Sequence, residues 1–396
     1  MKNSRVSFFL FALAVSLSAC HEGGPPADTP TDTGPSADVG GIGDTGVPAD
    51  AVSIADSGKE DTGAESEEDA GRDAGADVSW PPRAPEPPVG RELLGIAFGD
   101  GWTDPRELPS PVSTGGWEDS AYISADGTTL YFGYSRYNAE ELMQGNPVID
   151  GPDRPGQKGP AFDIYDATFP GGQWTVTNSA VNHPNPDLHE AAIGVNRDQS
   201  VMAFIRFDGS GDIYLSRKDA GEWGAPEKLP SPVNTSCAED NAHLSPDGLT
   251  VYFDSSRADA QGSLCLDEKT NGLKRTIYRS RFAGGAWSAP DSLKGSPNAT
   301  QIRWQVFVTE DEAEAYWTGI DPDCPQSCIF RAKKQADGRY AGRDVIAKAG
   351  GSGAPAGQVA GLGEVSFTAD GRFMYFVFAE KTSEGKLQIS VGVARK

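Results

Sequence analysis

HLSPDGLTVYFDSSR, residues 243–257, is nearly written twice more in this chain of 396 residues, as ISADGTTLYFGYSR from Ile123 and as FTADGRFMYFVFA from Phe367. The runs HLS and LTVYF have the β-branched and aromatic make-up of strands, and Pro246-Asp247-Gly248 between them is turn chemistry. Proline presets φ, aspartate bonds to nearby backbone, and glycine accepts positive φ without steric cost. Each copy therefore predicts a β-hairpin. A hairpin that recurs at long intervals cannot bury its apolar face alone, so the copies are expected to stack on one another.

Working outward, the aromatic ends of the hairpins align as Tyr131-Phe132, Ala203-Phe204, Tyr252-Phe253, Tyr316-Trp317 and Tyr375-Phe376, five units about 49 to 72 residues apart. A second half-repeat follows each of the first four: FDIYDATFPGGQW to Trp174, DIYLSRKDAGEW to Trp223, TIYRSRFAGGAW to Trp287 and the weaker CIFRAKKQADGRY to Tyr340. These read as a third strand, a tight turn and a fourth strand opened by an aromatic. The fifth unit ends at LQISVGVARK without its closing aromatic, whereas WTDPRELPSPVST from Trp102 matches WGAPEKLPSPVNT from Trp223. An N-terminal strand that completes the last unit would close a ring and remove its sheet edges. The expected fold is an all-β, five-bladed β-propeller over residues 91–396.

These residues also resemble the WD40-like repeats of the TolB-type propeller family, whose mark is a Ser-Pro-Asp-Gly turn before a Tyr-Phe strand, then an Asp-Ile-Tyr strand and a Gly-Gly-x-Trp turn. The resemblance spans nearly all of residues 94–396 and is carried by units one, three and five. Units two (Asn196-Arg197-Asp198) and four (Thr309-Glu310-Asp311) depart at the turn. The resemblance implies a protein partner in the cell envelope.

The N-terminus gives an address. Lys2 and Arg5, an apolar run over residues 6–15 and then Leu17-Ser18-Ala19-Cys20 form a signal peptide over residues 1–20, too short to span as a mature helix. Leu-Ser-Ala-Cys resembles the lipobox of bacterial lipoproteins, which implies lipidation at Cys20. His21 in place of aspartate implies the outer membrane. Residues 21–80 carry fifteen acids against Lys59 and Arg72, with almost no large apolar residue. Such a segment cannot bury enough surface to offset its ordering entropy and reads as a disordered tether, expected to run to residue 90, with a coil span of roughly 45 Å. The whole chain is at −23; removing the tether's −13 and the signal's +2 leaves −12 for residues 81–396. That balance argues against nucleic acid and anionic membrane as partners of the domain, because both require clustered cations.

Four cysteines remain beyond Cys20, and in an exported chain an even count predicts disulfides, here Cys237 with Cys265 and Cys324 with Cys328. A Cys-x-x-x-Cys metal site competes for the second pair, although no further ligands stand nearby. In a four-stranded blade the short Ser-Pro-Asp-Gly turns share one face, and the long loops at residues 137–160, 258–274 and 348–361 share the other. All four cysteines are assigned to loops of that second face, which is therefore the expected binding face. Residues that open the innermost strands, Glu118, Asp119, Glu190, Glu239, Asp240, Arg303 and Glu364, would ring the channel mouth there. Converging carboxylates can bind a cation, a basic group or sugar hydroxyls, and crowding raises a pKa toward acid catalysis. The plainer account is that the acid belongs to the repeat itself.

No serine-nucleophile elbow, phosphate loop or zinc-protease helix is present: His189-Glu190 has Ile193 where a second histidine would stand. His183, His189 and His243 lack a catalytic partner set. No cofactor is expected. The sequence supports a lipid-anchored recognition or scaffold module that binds protein, peptide or glycan, without catalysis. The competing class is a glycoside hydrolase-like propeller using acids at the channel mouth, which rests on fold analogy.

Overall fold

The computed structural model describes residues 80–396 other than 158, 160, 179–187, 209, 260, 261, 263, 267–274 and 301, and the statements below concern those residues. The expected signal segment, Cys20, the acidic stretch to residue 79 and His183 lie outside them. The described residues are nearly all β, with one helix of five residues, α1 (Ala139–Met143), and a 3-10 turn at Ser296–Ala299.

Two short strands, β1 (Ala97–Phe98) and β2 (Thr103–Glu107), precede the repeating units. Unit one contains β3 (Trp117–Ile123), β4 (Thr129–Ser135), β5 (Asp163–Thr168) and β6 (Thr175–Asn178). Unit two contains β7 (Glu190–Val195), β8 (Val201–Arg206) and β9 (Asp212–Asp219), with β10 (Glu222–Trp223) and β11 (Glu227–Lys228) both pairing to β9. Unit three repeats that plan with β12 (Glu239–Leu244), β13 (Thr250–Ser255), β14 (Thr276–Ala283), β15 (Ala286–Trp287) and β16 (Asp291–Ser292). Unit four is β17 (Ile302–Val308), β18 (Glu314–Asp321), β19 (Cys324–Lys334) and β20 (Tyr340–Lys348), extended by β1 on β20. Unit five is β21 (Val359–Phe367), β22 (Phe373–Lys381) and β23 (Leu387–Arg395).

The fourth strand of unit five is β2, whose Thr103, Arg106 and Glu107 face Arg395, Val393 and Gly392 of β23. The duplicated Trp102 and Trp223 motifs anticipate this pairing. The first strands β3, β7, β12, β17 and β21 contact one another in that order, and β21 returns to β3. Strands β8 and β13 are buried at every residue, as expected of sheets covered on both faces. The aromatic pairs that defined the repeat form this packing: Phe132, Phe204, Phe253, Trp317 and Phe376 are fully buried.

The first-to-second turns share one construction in all five units. The amide of the fourth residue bonds back to the first at 2.8–3.0 Å, and that fourth residue has positive φ: Gly127 at 75°, Gln199 at 57°, Gly248 at 67°, Glu312 at 55° and Gly371 at 68°. The turn aspartates Asp126, Asp198, Asp247, Asp311 and Asp370 each accept the amide two residues on. Units two and four, which depart in sequence, thus keep the geometry with a longer side chain in the glycine position.

The folded unit starts earlier than residue 91. Residues 80–90 lie against the turn face: Ala84 is buried, its amide donates to Asp370 at 2.8 Å and its carbonyl accepts from Arg372. The Trp174 indole donates to the Pro88 carbonyl at 3.0 Å. A segment rich in proline has little chain entropy to lose on docking, and composition alone had placed it in the tether.

Cys237–Cys265 and Cys324–Cys328 are disulfides, with Cα separations of 5.2 and 6.5 Å that suit the bond. Cys237 precedes β12, and Cys265 bridges to Arg257 after β13. The second pair is not in a long loop: Cys324 and Cys328 both belong to β19, two residues beyond β18.

Candidate functional site

Each of the five first strands carries a register shift: Asp119 to Tyr122, Ala191 to Gly194, Asp240 to His243, Trp304 to Val306 and Gly363 to Ser366. A bulge adds one residue to a strand and re-aims its side chain. In four units the added residue is left-handed without being glycine: Ser120, Asn241, Gln305 and Glu364, with φ of 55°, 51°, 56° and 53°. That geometry costs roughly 1–2 kcal/mol per residue and must be held in place. The bulge residues hold one another. The Glu364 amide donates to the Gln305 side-chain oxygen at 3.0 Å, and the Ser120 amide donates to the Glu364 carboxylate and to Asp119 at 2.9 Å. The Asn241 side chain and the Gln305 amide both donate to Asp254, at 2.6 and 3.0 Å.

These four residues, with Tyr122, Ile193, His243 and Phe307, line a central cavity of about 40 Å³, room for a few water molecules. Glu364 is the carboxyl of this lining, and other buried acids stand close behind it. Burial first, then the neighbouring Asp119 charge, pushes the Glu364 carboxyl well up, and burial also raises Asp119, which is hydrogen-bonded to it. Burial likewise raises Asp240 well above its ordinary value, although Arg275 pairs with it and bonds Asp254 at 3.0 Å.

The other sequence candidates lie in the walls. Glu118, Glu190 and Glu239 are fully buried, each with an arginine close by. Arg257 donates to Glu239 at 2.8 Å, with both side chains inaccessible, and to the carbonyls of Pro232 and Val233. Arg206 donates to Glu190 at 2.7 Å. Arg154 holds the Pro111 and Val112 carbonyls and lies 3.7 Å from the Tyr134 ring centre, near enough to attract Glu118. Burial still raises Glu118 to about 7, against the hydrogen bonds from Thr114 and Ser390. Arg303 bonds Asn298 and the Thr300 carbonyl. Glu364 is not the counterpart of Glu118: it stands at the bulge, two positions later in its strand, and the true equivalent is the apolar Leu362. The sequence reading missed Asp254, Arg275, Ser120, Asn241 and Gln305, because no local pattern marks a bulge.

His243 packs among Tyr122, Tyr252 and Phe307, bonds the Val308 carbonyl through Nε2 at 2.9 Å, and is lowered by burial to about 4. His189 accepts the Phe162 amide. Among the described residues no group of three or more His, Cys, Asp or Glu side chains is arranged to hold a metal ion.

A larger cavity of about 500 Å³ opens among the short first-to-second turns, away from the long-loop face on which binding was expected. Phe307 lines both cavities. Trp102, Tyr316 and Phe367 form its aromatic lining, with ring centres 5.6 Å apart for Trp102 and Phe367 and 4.3 Å for Tyr316 and Phe367. Trp80 forms another wall, with the Arg197 guanidinium 4.5 Å from its ring centre and bonded to Glu310 at 2.6 Å. Lys396 lies 5.7 Å from the Trp102 ring centre and pairs with Asp100.

No family model matches this chain, and no curated protein matches it. Solved structures are similar at low identity. TolB from Acinetobacter baumannii is 14% identical over 78% of this chain and 61% of its own, with a TM-score of 0.39. The catalytic domain of a Coprinopsis cinerea GH62 α-L-arabinofuranosidase is 10% identical over 78% and 98%, at 0.44. A Bacillus subtilis arabinanase is 11% identical over 71% and 94%, at 0.42. Likenesses this loose transfer no site and no chemistry.

Proposed function

We propose that this chain is a lipid-anchored envelope protein whose five units are the blades of a β-propeller, closed by β2 on β23, and that the propeller recognises a protein, peptide or glycan without catalysis. The observation that carries this reading is the state of the acids. Those of the first strands are engaged with arginines, bulge amides and each other, around a cavity of about 40 Å³. A glycoside hydrolase needs two carboxyl groups held apart across a sugar ring, with both reachable. The cyclic contact of the first strands supports the propeller. The N-terminal sequence supports the anchor and the tether, which would place the domain clear of an outer membrane. A screen of the purified full chain against glycans and envelope proteins tests recognition. Turnover of a glycoside that is lost in Asp119→Asn would overturn it. Membrane fractionation of Cys20→Ser tests the anchor: a variant that still sediments with membranes refutes lipidation.

A further inference from the structure

The turn-face cavity differs from the channel in every respect that matters for a ligand. It is more than large enough for water, within the ~300–1,000 Å³ of small-molecule sites, and lined by aromatic rings with a few placed polar groups. Trp102 and Tyr316, each 5% exposed, form its closed aromatic floor, and Trp80 is its open aromatic wall. The rim is polar and its charges are engaged: Arg197 is paired with Glu310, Lys396 with Asp100, Glu314 accepts the Tyr316 hydroxyl, and Asp311 accepts the Thr309 hydroxyl and the Ala313 amide. A charged ligand would have to break those pairs, whereas a neutral one with hydroxyls can both donate to the carboxylates and accept from the cations. Trp80, nearly half exposed, is held by Arg197 as a flat apolar wall.

We propose that this cavity binds a neutral pyranose unit of a glycan, its apolar face against Trp80 and its hydroxyls on Glu310, Arg197 and Lys396. This deepens the recognition reading and rests on it, while moving the site from the loop-rich face to the turn face.

The test is titration of the full chain with cellobiose, maltose and N,N′-diacetylchitobiose, followed by calorimetry and tryptophan fluorescence. At least one should bind saturably. Trp80→Ala should weaken it by about tenfold or more through the lost wall, and Arg197→Ala should weaken it by removing both a rim donor and the cation that holds Trp80. Ser236→Ala, remote from the cavity, should bind as the parent does, and thermal melts report whether each variant is folded. Parent-like binding by both folded cavity variants overturns the site, and so does failure of all three sugars. If the chain ignores these sugars but captures an envelope protein or peptide, this inference falls and the recognition reading stands. If it binds nothing in either screen, both fall.

Discussion

At the scale of single residues the molecule places acids where charge is costly and then manages them individually. Glu118 is the case with a measurable consequence. Its folded value of about 7 lies above the ordinary 4.5. Between those values the folded chain keeps a proton that the unfolded chain has released, so the contribution of this residue is fully present below about pH 4.5. It is lost as pH rises and levels off above about 7. The expected loss is about 3 kcal/mol. Urea melts of the parent and of Glu118→Gln over this range should show the variant's stability falling less steeply by about that amount, and parallel curves would contradict the assignment. Glu118, Glu190 and Glu239 were legible as a repeated acid from spacing alone. Their arginines were not, because Arg154, Arg206 and Arg257 reach them from a different strand or loop at unequal sequence distances.

At the scale of elements the five turns show how a motif can change its letters and keep its shape. Glu312 bears positive φ, which glycine would relieve by roughly 1–2 kcal/mol. Its carboxylate, however, accepts the Tyr252 hydroxyl of the preceding unit at 3.0 Å and pairs with Lys334 at 2.7 Å, while Gln199 accepts from Tyr131 in the same way. An abandoned buried hydroxyl costs about 1–3 kcal/mol and a partly exposed ion pair adds up to about 1. Glu312→Gly should therefore lower the melting temperature; a rise would mean that backbone strain outweighs the bond between units. The hairpins and the closing strand were readable in the sequence because turn chemistry and aromatic spacing are local. The bulges were not, and that is why Glu364 was aligned with Glu118 although it stands two positions later. The Cys237–Cys265 bridge also belongs to this scale. It closes a separation of 28 residues, and replacing both cysteines by alanine should cost about 3–4 kcal/mol in the chain-entropy account. Peptide mapping without reduction should recover Cys237 joined to Cys265 and Cys324 joined to Cys328.

At the scale of the whole molecule, units five and one form a continuous sheet through the Ile389 and Trp117 bridge, reinforced by the Leu387 amide on Glu140 and Ser390 on Glu118. Removing residues 80–108 takes away β1, β2 and the segment on the turn face. It exposes the edge of β23 and uncovers apolar surface in both units, so the loss should exceed the ~0.5–3 kcal/mol of ordinary point changes. An unchanged melting temperature in the truncated chain would refute closure by β2.

The same pairing of β2 with β23 also sets an order of events during synthesis. Thr103 waits for Arg395, so β2 cannot be paired until β23 has been made, and any earlier intermediate carries an open edge. Contacts that join the two ends of a chain are slow to form. A chain interrupted anywhere between these two strands would leave the β23 edge bare, so completing this sheet requires both flanks of the domain to be present at once.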